Sequence, residues 1–303
     1  MYSYTRETLK IPSAEGGVDL DTWLYKPTGA APFPLVVAGH GMTVIKDAGL
    51  ASFGERWASD AGYASLIFDY RFFGESGGEP RNFVSLEKQL EDYKSVLKWA
   101  RQRPDLFCND KIVVMGSALS GISVSQLLLE DTSLAGGMAH CPMLDGYAVV
   151  ASMPFNPRLF FWVIVDAIKG KFGLSPIFIQ AIGRPGEFSF IRTPSAYPGF
   201  VAMFAQGRTP FTEAPNLINP RVCFEIMNAR PGTLLREAHA PFLVVLSQED
   251  DMLPVSIGRS VAAGAPDVVT LVEAPGGHFG VMRGGEGYDV NITAQIDFLK
   301  GLL

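Results

Sequence analysis

Cysteine is scarce, and the three present (Cys108, Cys141 and Cys223) lie far apart in a chain of 303 residues. They form neither a disulfide framework nor a zinc-binding pattern. A chain of this length needs no such staple, because it buries roughly 75% of its unfolded surface. Positive charge is also in short supply: 25 Lys and Arg face 31 Asp and Glu, for a net charge of −6. No Lys/Arg cluster offsets that balance, which argues against a nucleic-acid partner. Long apolar runs are missing as well. The longest, residues 159–168, is interrupted by Asp166, so no membrane span is expected. Residues 1–17 alternate polar and apolar and lack the apolar stretch of a signal peptide. The sequon Asn291-Ile292-Thr293 therefore reads as chance, and the protein is expected in the cytoplasm, away from membranes.

What the chain does contain is alternation. Strands are expected at 3–11 and 19–25 around Gly16-Gly17, then at 35–38, 63–69, 111–115, 134–141, 242–246 and 268–272. Helical periodicity fills 47–61, 85–101 and 122–130 between them. Strands and helices alternating at this spacing indicate an α/β fold, a mostly parallel sheet with helices on both faces. The stretch 146–238 breaks the rhythm. It holds 14 of the 34 aromatics and 10 of the 21 prolines, with nine Lys/Arg against five Asp/Glu, so it is about +4 and the rest about −10. It reads as an insertion into a core made of 1–145 and 239–303. It is either a long loop packed over the sheet or a lid over a site, and ordered insertions of this length are usually functional.

The strand at 111–115 runs into Gly116-Ser117-Ala118-Leu119-Ser120-Gly121 and then a helix. Strand, tight turn and helix is the setting of a nucleophile elbow. So sharp a turn requires small residues two before and two after its centre. Centring on Ser117 would put Met115 and Leu119 there, and centring on Ser120 would put Ile122 there. Only Ala118, between Gly116 and Ser120, satisfies both positions. Alanine cannot be a nucleophile.

Two partners of such a centre follow in order. Asp250 stands four residues before Pro254, which opens a helix, and His278 sits on the Gly-rich loop after the last strand. The order elbow, acid, histidine is that of a hydrolytic triad on a parallel sheet. Asp145, after the preceding strand, remains an alternative acid. Gly39-His40-Gly41-Met42 follows the third strand, where an oxyanion loop belongs. The two donors would be the backbone N–H groups of Met42 and Leu119. Such a donor stabilises an acyl-transfer transition state by about 2.7–4 kcal/mol. His40 is read mainly as a packing residue for this loop, with a catalytic role as the alternative. His140 and His239 are read as structural, without partners.

Three further stretches carry a resemblance: Gly41-Met42-Thr43-Val44-Ile45-Lys46, residues 68–81 (FDYRFFGESGGEPR), and Cys141-Pro142-Met143-Leu144-Asp145-Gly146. With the elbow, they resemble the dienelactone-hydrolase-like α/β-hydrolases, in the branch of polyketide thiohydrolases and polyketide transferases. The resemblance covers most of the core and is weak in the insertion. It implies an eight-stranded, mostly parallel sheet with an inserted helical lid. Family members read Gly-Thr-Ser-Phe-Ser-Gly-Gly at the elbow, so their nucleophilic serine falls on Ala118, their acid on Asp250 and their base on His278.

The expected activity is that of a serine-type acyl hydrolase or acyltransferase, a thioesterase or esterase without metal or cofactor, inactivated here at the nucleophile, with the chain read as a made serine-to-alanine form of an active enzyme. The aromatic insertion suits an apolar acyl group, and the family implies a polyketide thioester borne by an acyl carrier domain. Arg158, Lys169, Lys171, Arg184, Arg192 and Arg208 are candidates to dock that carrier. The alternative is a non-hydrolytic protein that binds or cyclises a hydrophobic intermediate. Retention of Asp250 and His278 favours the first reading. An epoxide or dehalogenating hydrolase would need an aspartate at the elbow, and none is there.

Overall fold

The computed structural model describes residues 2–303. Strands β1 (Tyr4–Pro12), β2 (Asp19–Pro27), β3 (Phe33–Gly39), β4 (Ala64–Phe68), β5 (Phe107–Ser117) and β6 (Gly136–His140) build most of the main sheet. A small antiparallel pair, β7 (Ile179–Gln180) and β8 (Leu217–Ile218), lies apart from it. Strands β9 (Phe242–Ser247) and β10 (Val269–Ala274) complete the main sheet in the order β1-β2-β4-β3-β5-β6-β9-β10. The first two strands pair antiparallel and every pair from β4 to β10 is parallel. This is the α/β-hydrolase fold.

Composition explains the centre of the sheet. The runs Leu35–Ala38, Ala64–Phe68 and Ile112–Met115 are buried along their whole length. A parallel strand covered by helices on both faces has no wet side, so it shows apolar runs rather than alternation. The helices are α1 (Ala51–Arg56), α2 (Leu86–Arg101), α3 (Gly121–Glu130), α4 (Gly146–Ser152), α5 (Pro157–Lys171), α6 (Ala196–Phe204), α7 (Val222–Asn228), α8 (Val255–Gly264) and α9 (Tyr288–Gly301), of which α1, α2, α3, α8 and α9 pack on the strands of the main sheet. The helix expected at 47–61 begins only at Ala51, because Gly49 takes φ +98° and Lys46 N–H is drawn to Asp69 at 2.7 Å. Its last turn, 57–61, widens to a π-turn that ends on left-handed Gly62.

Strand order reverses at β3, with β4 on one side and β5 on the other. In open α/β sheets the crevice outside the carboxyl ends at such a reversal is where ligands bind. The loops that leave β3 and β5 are those of Met42 and Ala118. Segment 146–238 lies over this edge and is tied to the core. The Asn219 side chain bonds both the N–H and the C=O of Val84, at 2.7 and 3.0 Å. Glu225 accepts from Leu86 N–H at 2.7 Å, at the start of α2. A helical turn at 231–237 packs on α3 and leads into β9.

Candidate active site

At the elbow, Ala118 holds φ +48°, a left-handed conformation that costs a non-glycine residue about 1–2 kcal/mol. The crowding inferred from the sequence has physical causes. A Cβ on Gly116 would stand 2.6 Å from the carbonyl oxygen of Ser120, and one on Gly121 would stand 2.5 Å from Pro142. Two tyrosines brace the turn from beneath. Tyr93 donates to Met115 C=O at 2.5 Å and accepts from Gly39 N–H at 2.9 Å, joining the ends of β3 and β5. Tyr70 OH meets Ser120 Oγ at 2.5 Å, and Ser120 in turn donates to His40 C=O.

His278 Nδ1 lies 2.7 Å from Asp250 Oδ2, with both side chains almost fully buried. Asp250 Oδ1 accepts from Met252 N–H and Leu253 N–H, each at 2.8 Å. Because a carboxylate only accepts, Nδ1 carries a proton, and in the neutral imidazole Nε2 is then left with a lone pair. Cys141 Sγ donates toward His278 C=O at 3.4 Å and Ser247 Oγ at 3.3 Å. Burial, then the charge of Asp250, pushes that thiol far above its ordinary range. Cys141, Asp250 and His278 lie close enough together to suggest a metal site. A protonated thiol and a carboxylate already filled by three hydrogen bonds make a poor ligand set.

Asp145 is not brought to the imidazole. It caps α4 by accepting from Ala148 N–H at 3.0 Å, and it receives the Arg230 guanidinium at 3.0 and 2.9 Å. His40 is wholly internal: its Nδ1–H donates to Gly41 C=O at 2.9 Å and its Nε2 accepts from Tyr70 N–H at 3.3 Å. Lys46, also buried, reaches Asp21 and Asp69 at 2.5 Å each and anchors the loop that carries Met42. One residue read as partnerless has partners after all. His140 Nε2 lies 2.9 Å from Ser117 Oγ, and its Nδ1 lies 3.3 Å from Asn291 Nδ2.

Met42, Ala118, Leu119, Asp250 and His278 line one cavity of about 840 Å³. Its opposite wall comes from the insertion, through Phe155, Phe160, Phe190, Phe200 and Met203 among others. The cavity is large enough for an extended small molecule; its lining is mostly apolar, with Ser117, His140, Asp250 and His278 on the core side and Asn156, Arg192 and Thr193 on the other.

An eight-stranded α/β sheet with an acid–histidine pair beside a strained strand-to-helix turn defines the class as α/β-hydrolase. Comparison with known proteins agrees. Residues 16–166 match the X-Pro dipeptidyl-peptidase (S15) family. The chain is 30% identical over 299 residues to the quorum-quenching protein AidA of Acinetobacter baumannii, covering 97% of this chain and 95% of that one. It is 24% identical to polyketide transferase ATR5 of Stachybotrys chlorohalonatus, over 99% and 98% of the two chains. The crystal structure of the α/β-hydrolase GrgF from Penicillium superposes with a TM-score of 0.76 at 20% identity, over 98% of each chain. The chain belongs to this α/β-hydrolase family, among relatives named polyketide transferases and thiohydrolases.

Proposed function

We propose that the cavity is the acyl-binding site of a serine-type hydrolase or acyltransferase in which alanine occupies the nucleophile position. The observation that carries this reading is the 2.7 Å bond between His278 and Asp250 in the same cavity as the left-handed residue 118. With serine at 118, its hydroxyl would attack the ester or thioester carbonyl while His278 Nε2 took the proton. Asp250 would hold the imidazole and stabilise its charged form, and His278 would then return the proton to the leaving group. Met42 and Leu119 N–H would receive the oxyanion. Residues 146–238 would act as the lid, excluding water and contacting the chain of the acyl group, with 1–145 and 239–303 as the core.

With alanine at 118 there is no acyl-enzyme, and the protein binds its substrate without turning it over by this route. The test is Ala118→Ser followed by a fluorophosphonate probe. Labelling of the introduced hydroxyl, abolished by adding His278→Ala, is the expected result. No labelling of a folded Ala118→Ser protein would remove the reading.

The aromatic wall and the names of the relatives support a hydrophobic, polyketide-like acyl group delivered as a thioester. An acyl carrier is the partner proposed for its delivery. Of the six basic residues considered for docking, Arg184 and Arg208 already have carboxylate neighbours, at 3.7 and 3.9 Å, and Arg158 stacks on Phe188 at 4.0 Å. The charge without a carboxylate neighbour is therefore carried by Arg158, Lys169 and Lys171 of α5 and by Arg192 at the cavity. Charge-guided docking weakens with salt. In Ala118→Ser, a carrier-bound substrate should lose turnover across a salt series while a small free thioester does not. Equal sensitivity would remove the carrier. The alternative, a pocket that binds or cyclises an intermediate without hydrolysis, is favoured by the alanine itself.

A further inference from the structure

The cavity floor holds a second polar chain that the acyl-transfer reading leaves unused. It begins at Trp57, whose indole N–H can only donate, and does so to Gln295 Oε1 at 2.9 Å. That contact fixes which end of the Gln295 amide is oxygen. Gln295 Nε2 then donates to Asn291 Oδ1 at 2.7 Å, which fixes Asn291 in turn. Asn291 Nδ2 confirms its own orientation by donating to Val281 C=O at 3.1 Å. The same NH₂ group faces His140 Nδ1 at 3.3 Å, so that ring nitrogen must accept. The proton of His140 is therefore on Nε2, pointing at Ser117 Oγ 2.9 Å away. Burial holds the imidazole neutral by lowering its pKa to about 3, so no second proton upsets the assignment.

Every link of the chain is polarised in one direction, and Ser117 is its last acceptor. Because His140 fills a lone pair of Oγ, the hydroxyl proton of Ser117 is left for the cavity that this residue lines. His278 has the opposite tautomer, with a lone pair on Nε2. Ser117, Ala118 and His278 line the same cavity, and residue 118 carries a methyl group where the family carries a hydroxyl.

We propose that the floor of the cavity is a hydroxyl-binding site: a ligand alcohol over Ala118 accepts from Ser117 O–H and donates to His278 Nε2. The ligand class is a hydroxylated apolar compound, and the oxygen missing from residue 118 is supplied by the ligand. Trp57, Gln295, Asn291 and His140 are positioning residues that set the direction of the Ser117 proton. The inference rests on His278 as a proton acceptor and does not depend on serine chemistry.

Three probes separate the parts: octan-1-ol, 1-methoxyoctane and nonane, each displacing a fluorescent apolar dye from the cavity. The ether can only accept, and nonane can do neither. The expected order of affinity is alcohol, ether, alkane, with about fivefold between steps, the worth of one ordinary hydrogen bond. Ser117→Ala should bring the ether level with the alkane and leave alkane binding unchanged. Ser117→Thr keeps a hydroxyl and should restore the difference.

Asn291→Asp supplies a second, ligand-free readout. A carboxylate there would accept from His140 Nδ1–H, moving the ring proton and turning Nε2 into an acceptor for the Ser117 hydroxyl. Nitrogen-15 NMR should show His140 protonated at Nε2 in the Ala118 protein and at Nδ1 in Asn291→Asp, where the ether again falls level with the alkane. His140 protonated at Nδ1 in the Ala118 protein, or ether and alkane binding alike, overturns the donor. Alcohol and ether binding alike overturns the acceptor. If these fail while Ala118→Ser is still labelled by fluorophosphonate, the acyl-transfer reading stands without this one.

Discussion

Four histidines are present, and the site's character depends on how three of them hold their protons. His278 is turned by a carboxylate, His140 by an amide and His40 by two backbone groups, and the last two are buried without a counter-ion in hydrogen-bond contact. Burial lowers the pKa of both, to about 3 for His140. In an unfolded chain the same ring takes its proton near pH 6.5. Between those values the unfolded state binds the extra proton, so stability is whole above about pH 6.5 and is lost as pH falls toward 3. Each such histidine contributes a slope of at most about 1.4 kcal/mol per pH unit. Urea midpoints measured from pH 7.5 to 4 should fall accordingly. His140→Gln, whose amide can still donate to Ser117, should flatten part of the decline; an unchanged slope would show that His140 is protonated in the folded state.

Asp250 and His278 could be read from local signals: a proline that opens a helix and a glycine-rich loop, each after a strand. The partners of His140 could not. They depend on β5 and β6 pairing in the register that sets Ser117 beside His140, and on α9 bringing Asn291 from the far end of the chain. Neither contact leaves a mark in the residues next to His140.

Elements show the same division. The β5–turn–α3 unit was legible because crowding restricts residue size at fixed positions. Gly116→Ala should cost about 1–3 kcal/mol, since its Cβ would meet backbone rather than a movable side chain. Chemical denaturation measures it directly, and a neutral effect would mean that the turn can open. Within 146–238, composition set the segment apart without revealing its internal order. That order depends on Asp166, fully buried, which accepts from Ile177 N–H at 2.7 Å and Arg221 N–H at 3.0 Å. One carboxylate thus ties α5 to the approaches of both β7 and α7. Asp166→Ala strands two amides and should cost about 3 kcal/mol. Limited proteolysis of this variant should cut within 172–221 first, with the His278–Asp250 pair left in place.

At the scale of the whole molecule, the insertion is sewn into the core through Asn219, Glu225 and the 231–237 turn. The parts should therefore unfold together, and calorimetry should give a single transition. Two separated peaks would mean that 146–238 folds on its own. The three thiols are free, so reductant should not move that transition. No described helix is long and apolar enough to cross a membrane, in keeping with the sequence.

The left-handed backbone at residue 118 also bears on heredity. Alanine and serine codons can differ by a single base, and the two side chains differ by one oxygen atom. The demanding part of a nucleophile elbow is its main chain, which is already in place with alanine at its apex. Neither residue relieves the conformation more than the other, so exchange between them is close to neutral for folding. Where the serine codon is of the TCN type, a single point mutation separates the two side chains, with no intermediate sequence to cross and no loss of fold to repair.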